Sequence, residues 1–122
     1  MRGTASVVGV LAAHVPGDIA VSSVTCYELY TGVEKCADPQ RERTKVDALV
    51  GTVSEVAFDR MAAMESASIR ARLESRGEMI GPYDVLIAGQ AVSLGLTLVT
   101  NNTDEFARVE GLRLEDWQSP VP

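Results

Sequence analysis

Short, β-branched apolar runs alternate with helix-length segments along most of this chain, and that alternation leaves few folds open. Asp18–Val24 (DIAVSSV) has the length and composition of a strand. Thr25 has the position of an N-cap with Glu28 three residues later, so a helix is expected from about Thr25 to Cys36. Asp38-Pro39 breaks it, and Arg41–Val50 resumes with Val46, Leu49 and Val50 at core spacing. A second short strand is expected around Ser54–Ala57. Asp59–Gly77 reads as a long helix, with Met61, Met64, Ala67, Ile69 and Leu73 on its inward side and Gly77 as its stop. Pro82 suits a first helical turn, which predicts a helix over Pro82–Leu94 closed by Gly95. Leu96–Thr100 (LTLVT) is apolar enough for a strand buried on both faces. Asn102 and Glu105 repeat the cap spacing and open a short helix, and Leu112–Trp117 reads as an edge strand. Upstream, Val7–His14 reads as a short helix ended by Pro16-Gly17.

Strands that recur through intervening helices pair in parallel, with the helices on the sheet faces. The expected class is therefore α/β: a three-layer α/β/α sandwich with a short, mainly parallel sheet. At 122 residues the chain suits one domain over residues 1–122. With 46% hydrophobic residues and only 5% aromatics, the core must be aliphatic. No apolar run has the length of a membrane span, and Met1-Arg2-Gly3-Thr4 does not open a secretory signal, so a cytoplasmic protein is expected.

Composition also narrows the chemistry. Cys26, Cys36 and the lone His14 are too few for a zinc site or a disulfide framework. One histidine this early rules out a Ser-His-Asp or Cys-His arrangement, and no Gly-rich nucleotide loop is present. The net charge of −6 is the wrong sign for holding nucleic acid by bulk electrostatics. Nucleic-acid chemistry would need a bound cation or local basic stripes. Arg41, Arg43 and Lys45, and then Arg70, Arg72 and Arg76, are candidate stripes, although solvated helix faces are the safer reading of both.

In open α/β sheets, ligands bind beyond the carboxyl ends of the strands. Glu28 follows one strand, Glu105 follows another, and Asp84 stands in the first turn of a helix that should start near the same edge. Acids in first turns also stabilise helices by capping and against the dipole, which is the simpler reading of each taken singly. Capping does not require all three to meet. If they do, they repel unless a divalent cation neutralises them, and oxygen ligands of this kind suit Mg²⁺ or Mn²⁺.

The segments IGPYDVLIA (80–88), LGLTLVTNNTDEF (94–106) and VEGL (109–112) together resemble the C-terminal half of VapC-type PIN-domain toxins. DIAVSSVTCYELYTG (18–32) is similar to their second-strand segment, and IRARL (69–73) before Gly77 is familiar there as well. The resemblance implies a Mg²⁺- or Mn²⁺-dependent endoribonuclease of a type II toxin–antitoxin pair. Glu28, Asp84 and Glu105 would form its catalytic, metal-holding site, with Asp84 the firmest ligand. Thr25, Thr100 and Asn102 would support the cluster. A cognate VapB-like antitoxin, an RNA substrate and a homodimer are the implied partners. The family opens on a strand that ends in a metal-binding Asp, whereas here no acid precedes Asp18. On that comparison the first strand is expected to be missing and a sheet neighbour left unpaired. A catalytically impaired remnant that binds an antitoxin or its own copy is then the alternative expectation.

Overall fold

The computed structural model describes residues 10–12, 19–100 and 102–116, with the backbone alone at 10–12 and 19. The rest of the Val7–His14 segment, with Asp18 and Trp117, lies outside the described residues.

Among the described residues, five strands form one sheet: β1 (Val10–Ala12), β2 (Ile19–Ser22), β3 (Ser54–Val56), β4 (Thr97–Val99) and β5 (Arg113–Glu115). The helices are α1 (Ser23–Lys35), α2 (Pro39–Gly51), α3 (Arg60–Arg76), α4 (Pro82–Leu94) and α5 (Thr103–Phe106). The strand order is β3-β2-β1-β4-β5. The outer pairs β2–β3 and β4–β5 are parallel, while β1 runs antiparallel to both β2 and β4. Two successive reversals cancel, so β2 and β4 point the same way across β1. Four of the five strands therefore share one direction, and their carboxyl ends lie along one edge. This is the α/β/α arrangement with its mainly parallel sheet.

The strand at the centre corrects two expectations. Val10–Ala12 is extended, not helical, with Leu11 opposite Ala20 on one side and Leu98 on the other. It also leaves neither β2 nor β4 unpaired. The physical reason is the demand of the slot. The flanking strands need backbone partners on their inner sides, and that requirement outweighs the modest helix propensity of Val-Leu-Ala.

Local signals place the helices. Ser22, at the end of β2, caps α1 by accepting the amide of Val24 at 3.0 Å. Thr25 is therefore inside the helix, fully buried, and Glu28 lies beyond the first turn, so the expected Thr25–Glu28 capping box is not formed. Asp38 caps α2 and Asp59 caps α3, each accepting an amide three residues on. Gly77 and Gly95 end α3 and α4 in the left-handed conformation, φ 67° at both, where a side chain would be strained.

The main core joins Ile69 and Leu73 of α3, Val85, Ile87, Ala88 and Ala91 of α4, Leu98 of β4, and Phe106 with Val109. A smaller cluster of Leu29, Val33 and Val46 holds α1 to α2. Met61 and Met64, expected inward, are each 59% exposed. The buried stripe of α3 is instead Ala62, Ser66, Ile69 and Leu73. Small residues win this face because α3 meets α4 at Gly89 almost backbone to backbone, and no methionine fits there.

Candidate active site

Three elements that start at the shared carboxyl edge each bring one acid to it. Glu28 comes from α1, directly after β2. Asp84 comes from the first turn of α4, and Glu105 from α5 after β4. All three side chains are partly buried, whereas neighbouring Asp104 is exposed.

A buried polar knot fixes the base of the site. The Ser22 hydroxyl donates to Gln90 Oε1, and Gln90 Nε2 donates to the carbonyls of Val56 at 3.1 Å and Ala57 at 2.8 Å. Gln90 is 1% exposed, and one side chain thus ties α4 to the ends of both β2 and β3. The amide of Phe58 donates to the Ser23 hydroxyl at 3.2 Å, closing the same corner. With the polar atoms of Gln90 engaged inside the protein, desolvating them costs little.

The first turn of α4 presents Asp84. Gly81 precedes it with no side chain, and a Cβ placed there would stand 3.0 Å from Asp84 Oδ2. The carboxylate thus folds back over the glycine. Thr100, buried at the end of β4, accepts the amide of Asn102 at 3.1 Å and shapes the turn that leads to Glu105. Asn102 occupies the N-cap position of α5 but makes no side-chain cap bond, so the cap-like spacing of Asn102 and Glu105 is not a capping box either.

Electrostatics links the three acids. Burial raises the Asp84 carboxyl above the ordinary carboxylate range, and the charge of Glu105 raises it further. Burial likewise raises Glu28, with Asp84 as the second cause. Asp84 is the middle member, with an acid on either side. Among the described residues, no three of the His, Cys, Asp and Glu side chains close tightly enough to hold a metal ion together. The arrangement is an open rim of mutually repelling oxygen donors. That donor chemistry fits a hard cation such as Mg²⁺ or Mn²⁺, which keeps several of its own waters and needs few protein carboxylates.

The basic stripes are largely engaged elsewhere. Arg43 pairs with Glu34 at 2.8 Å, Lys45 with Glu42 at 3.4 Å, Arg70 with Glu74 at 2.9 Å and Arg76 with Glu78 at 2.9 Å. These are exposed helix-face pairs of small energetic value.

The PIN domain profile matches residues 3–112. The chain belongs to the PIN-domain family. The tRNA(fMet)-specific endonuclease VapC of Shigella flexneri is 46% identical over 101 residues, spanning 83% of this chain and 76% of that protein. Ribonuclease VapC2 of Haemophilus influenzae is 39% identical over 101 residues, spanning 83% and 76%. Among solved structures, the DNA-bound VapBC of Salmonella typhimurium superposes with a TM-score of 0.79 at 43% identity, over 80% of this chain and 74% of that one. These likenesses place the chain with the VapC branch of the PIN domains.

Sequence reasoning named the acids but missed the parts that hold them. Ser22, Gln90 and Gly81 went unmarked, as did an exposed tyrosine pair. Ser22 alone carried a usable signal, as a serine at a strand-to-helix junction. The partners of Gln90 lie 68 and about 34 residues away, beyond any local pattern.

Proposed function

We propose that this PIN domain is a VapC-type endoribonuclease toxin, dependent on Mg²⁺ or Mn²⁺ and silenced by a VapB-like antitoxin. The supporting observation is the row Glu28–Asp84–Glu105, all three partly buried, in which Asp84 raises Glu28 and Glu105 raises Asp84. Capping does not explain Glu28, which lies past the first turn of α1. Such a row is costly unless it has a cationic ligand.

Asp84 would hold the cation, with Glu28 and Glu105 adding negative charge beside it. When bound, that cation supplies Lewis acidity and offsets the charge that builds on the phosphate during hydrolysis. The protein's own contribution is positioning. Gln90 and Ser22 lock α4 against the strand ends, so Asp84 is presented from a fixed frame. Thr25 and Thr100, both buried, and Asn102 fix the backbone from which the outer acids project. The outer acids also supply negative charge that draws a divalent cation to an otherwise unfavourable place for RNA. In hydrolysis, water adds across one P–O bond of the phosphodiester, one fragment keeping the phosphate and the other gaining a hydroxyl.

A homodimer and an antitoxin contact belong to the same reading. Met61, Met64 and Met79 offer exposed apolar surface of the kind such partners cover. Among the described residues, no helix is long and apolar enough to cross a membrane.

The test pairs Mn²⁺ titration by calorimetry with cleavage of a structured RNA, for the protein and for Asp84→Asn. Metal-dependent cleavage and Mn²⁺ binding that both disappear in the variant are the expected result. Equal residual cleavage in the two proteins would refute the assignment.

A further inference from the structure

We infer that Tyr27 and Tyr83 form a stacking platform for an unpaired RNA base beside the acidic site, a positioning role that rests on the nuclease reading above. Tyr27 immediately precedes Glu28 on α1, and Tyr83 immediately precedes Asp84 on α4. Their hydroxyls lie 3.2 Å apart, and their ring centroids are 5.3 Å apart with the planes tilted by 53°. Two helices that begin at the shared strand edge thus meet through aromatic side chains next to the two acids.

These are the most exposed aromatic side chains among the described residues, Tyr27 at 54% and Tyr83 at 42%. Single exposed aromatics are common on protein surfaces and need no explanation. Here the two touch each other, from different helices and 56 residues apart in sequence. The exposure of both rings leaves room for a further planar group. Each ring is held by the other, so little side-chain freedom is lost when a base stacks on it.

Charge explains why such a platform belongs at this site. The chain carries −6 overall, and four of its basic side chains are paired with acids on helix faces. A phosphate backbone therefore finds little long-range attraction here. Base–aromatic stacking does not depend on charge and accepts any base, since every base offers a π-face. A platform beside the acids would hold the strand at the site.

The test measures Mn²⁺-dependent cleavage of a single-stranded oligoribonucleotide by Tyr27→Ala, Tyr83→Ala and the corresponding Phe variants. Losing one stacked base should raise KM by about 5- to 100-fold while kcat changes far less. The Phe variants keep the rings and lose the hydroxyl contact, so they should stay close to the parent protein. A second readout does not depend on turnover. Asp84→Asn protein should quench a 2-aminopurine-labelled oligoribonucleotide, and adding Tyr27→Ala should abolish the quenching. Cleavage with unchanged KM in the Ala variants would overturn the platform, and so would Phe variants as impaired as the Ala ones. Absent cleavage with tyrosine-dependent quenching would sink the nuclease reading and leave the platform standing. Absence of both would end both.

Discussion

Replacing Gly89 by alanine adds one methyl group where α3 and α4 approach most closely. A Cβ at this position would lie 1.9 Å from Ser66 Oγ, 2.7 Å from Ser66 N and 2.8 Å from Ser66 Cα. The hydroxyl can rotate away, but the two backbone atoms cannot, so α3 itself must retreat. Two effects of opposite sign compete. Alanine in a helix interior is favoured over glycine by about 1 kcal/mol. Overpacking a tight interface costs about 1–3 kcal/mol, and contact with backbone puts this site at the upper end. The clash wins, leaving a net loss of about 1–2 kcal/mol, or a fall in Tm of about 3–10 °C for a chain of this size. Thermal unfolding followed by circular dichroism reads the change. Ser66→Ala supplies an internal control, because the buried Ser66 hydroxyl has no hydrogen-bond partner among the described residues. Removing it should hold or slightly raise Tm alone, yet fail to rescue Gly89→Ala, since the clash with the main chain persists. A Gly89→Ala protein as stable as the parent would refute the backbone-to-backbone crossing and, with it, the reason the methionines of α3 face outward.

Two further outcomes concern the acids. In the presence of chelator, Asp84→Asn should be more stable than the parent above the acid range: burial and Glu105 raise the folded-state value of Asp84, so its contribution is fully present below its ordinary 3.8 and lost as pH rises through the raised value. The Tm difference between the two proteins should therefore shrink towards pH 3.8, and a difference that grows on acidification would contradict the sign. Gly81→Ala leaves the backbone unstrained, at φ −57°, but sets a Cβ 3.0 Å from Asp84 Oδ2; Mn²⁺ affinity should fall by about tenfold with Tm nearly unchanged, as for loss of a group that orients a ligand.

Elements bounded by special residues were legible in the sequence. Pro82 and Gly95 bracket α4 as expected, and Asp59 and Gly77 bracket α3, because a first-turn proline, a capping carboxylate and a left-handed glycine each act within one helical turn. What failed depended on distant partners. Val10–Ala12 is extended because β2 and β4 flank it, and nothing in VVGVLAAH announces neighbours found from residue 19 onward and near residue 98. The face of α3 was misread because hydrophobicity favoured Met61 and Met64, while the partner helix offered a glycine that rewards small residues. Thr25 has the spacing of a cap, but the helix already begins at Ser23. The correct cap, Ser22, is claimed at once by α1 and by Gln90.

The edge at which each acid falls depends on strand direction and not on which segment fills the centre. An antiparallel β1 does not scatter the site, although it opposes both of its neighbours. Its two reversals cancel, so β2 and β4 end on the same side, and α1 and α5 start there. Reading β1 as a helix therefore did not move Glu28 relative to Glu105. The same geometry makes the site expensive. Glu28 and Asp84 lose water at that edge, and each meets another acid there, which raises both carboxyls. The frame beneath must be stable enough to bear them. That is the role of Gln90, buried and tying α4 to the ends of β2 and β3, and of the close α3–α4 crossing, neither of which has any chemistry of its own to contribute.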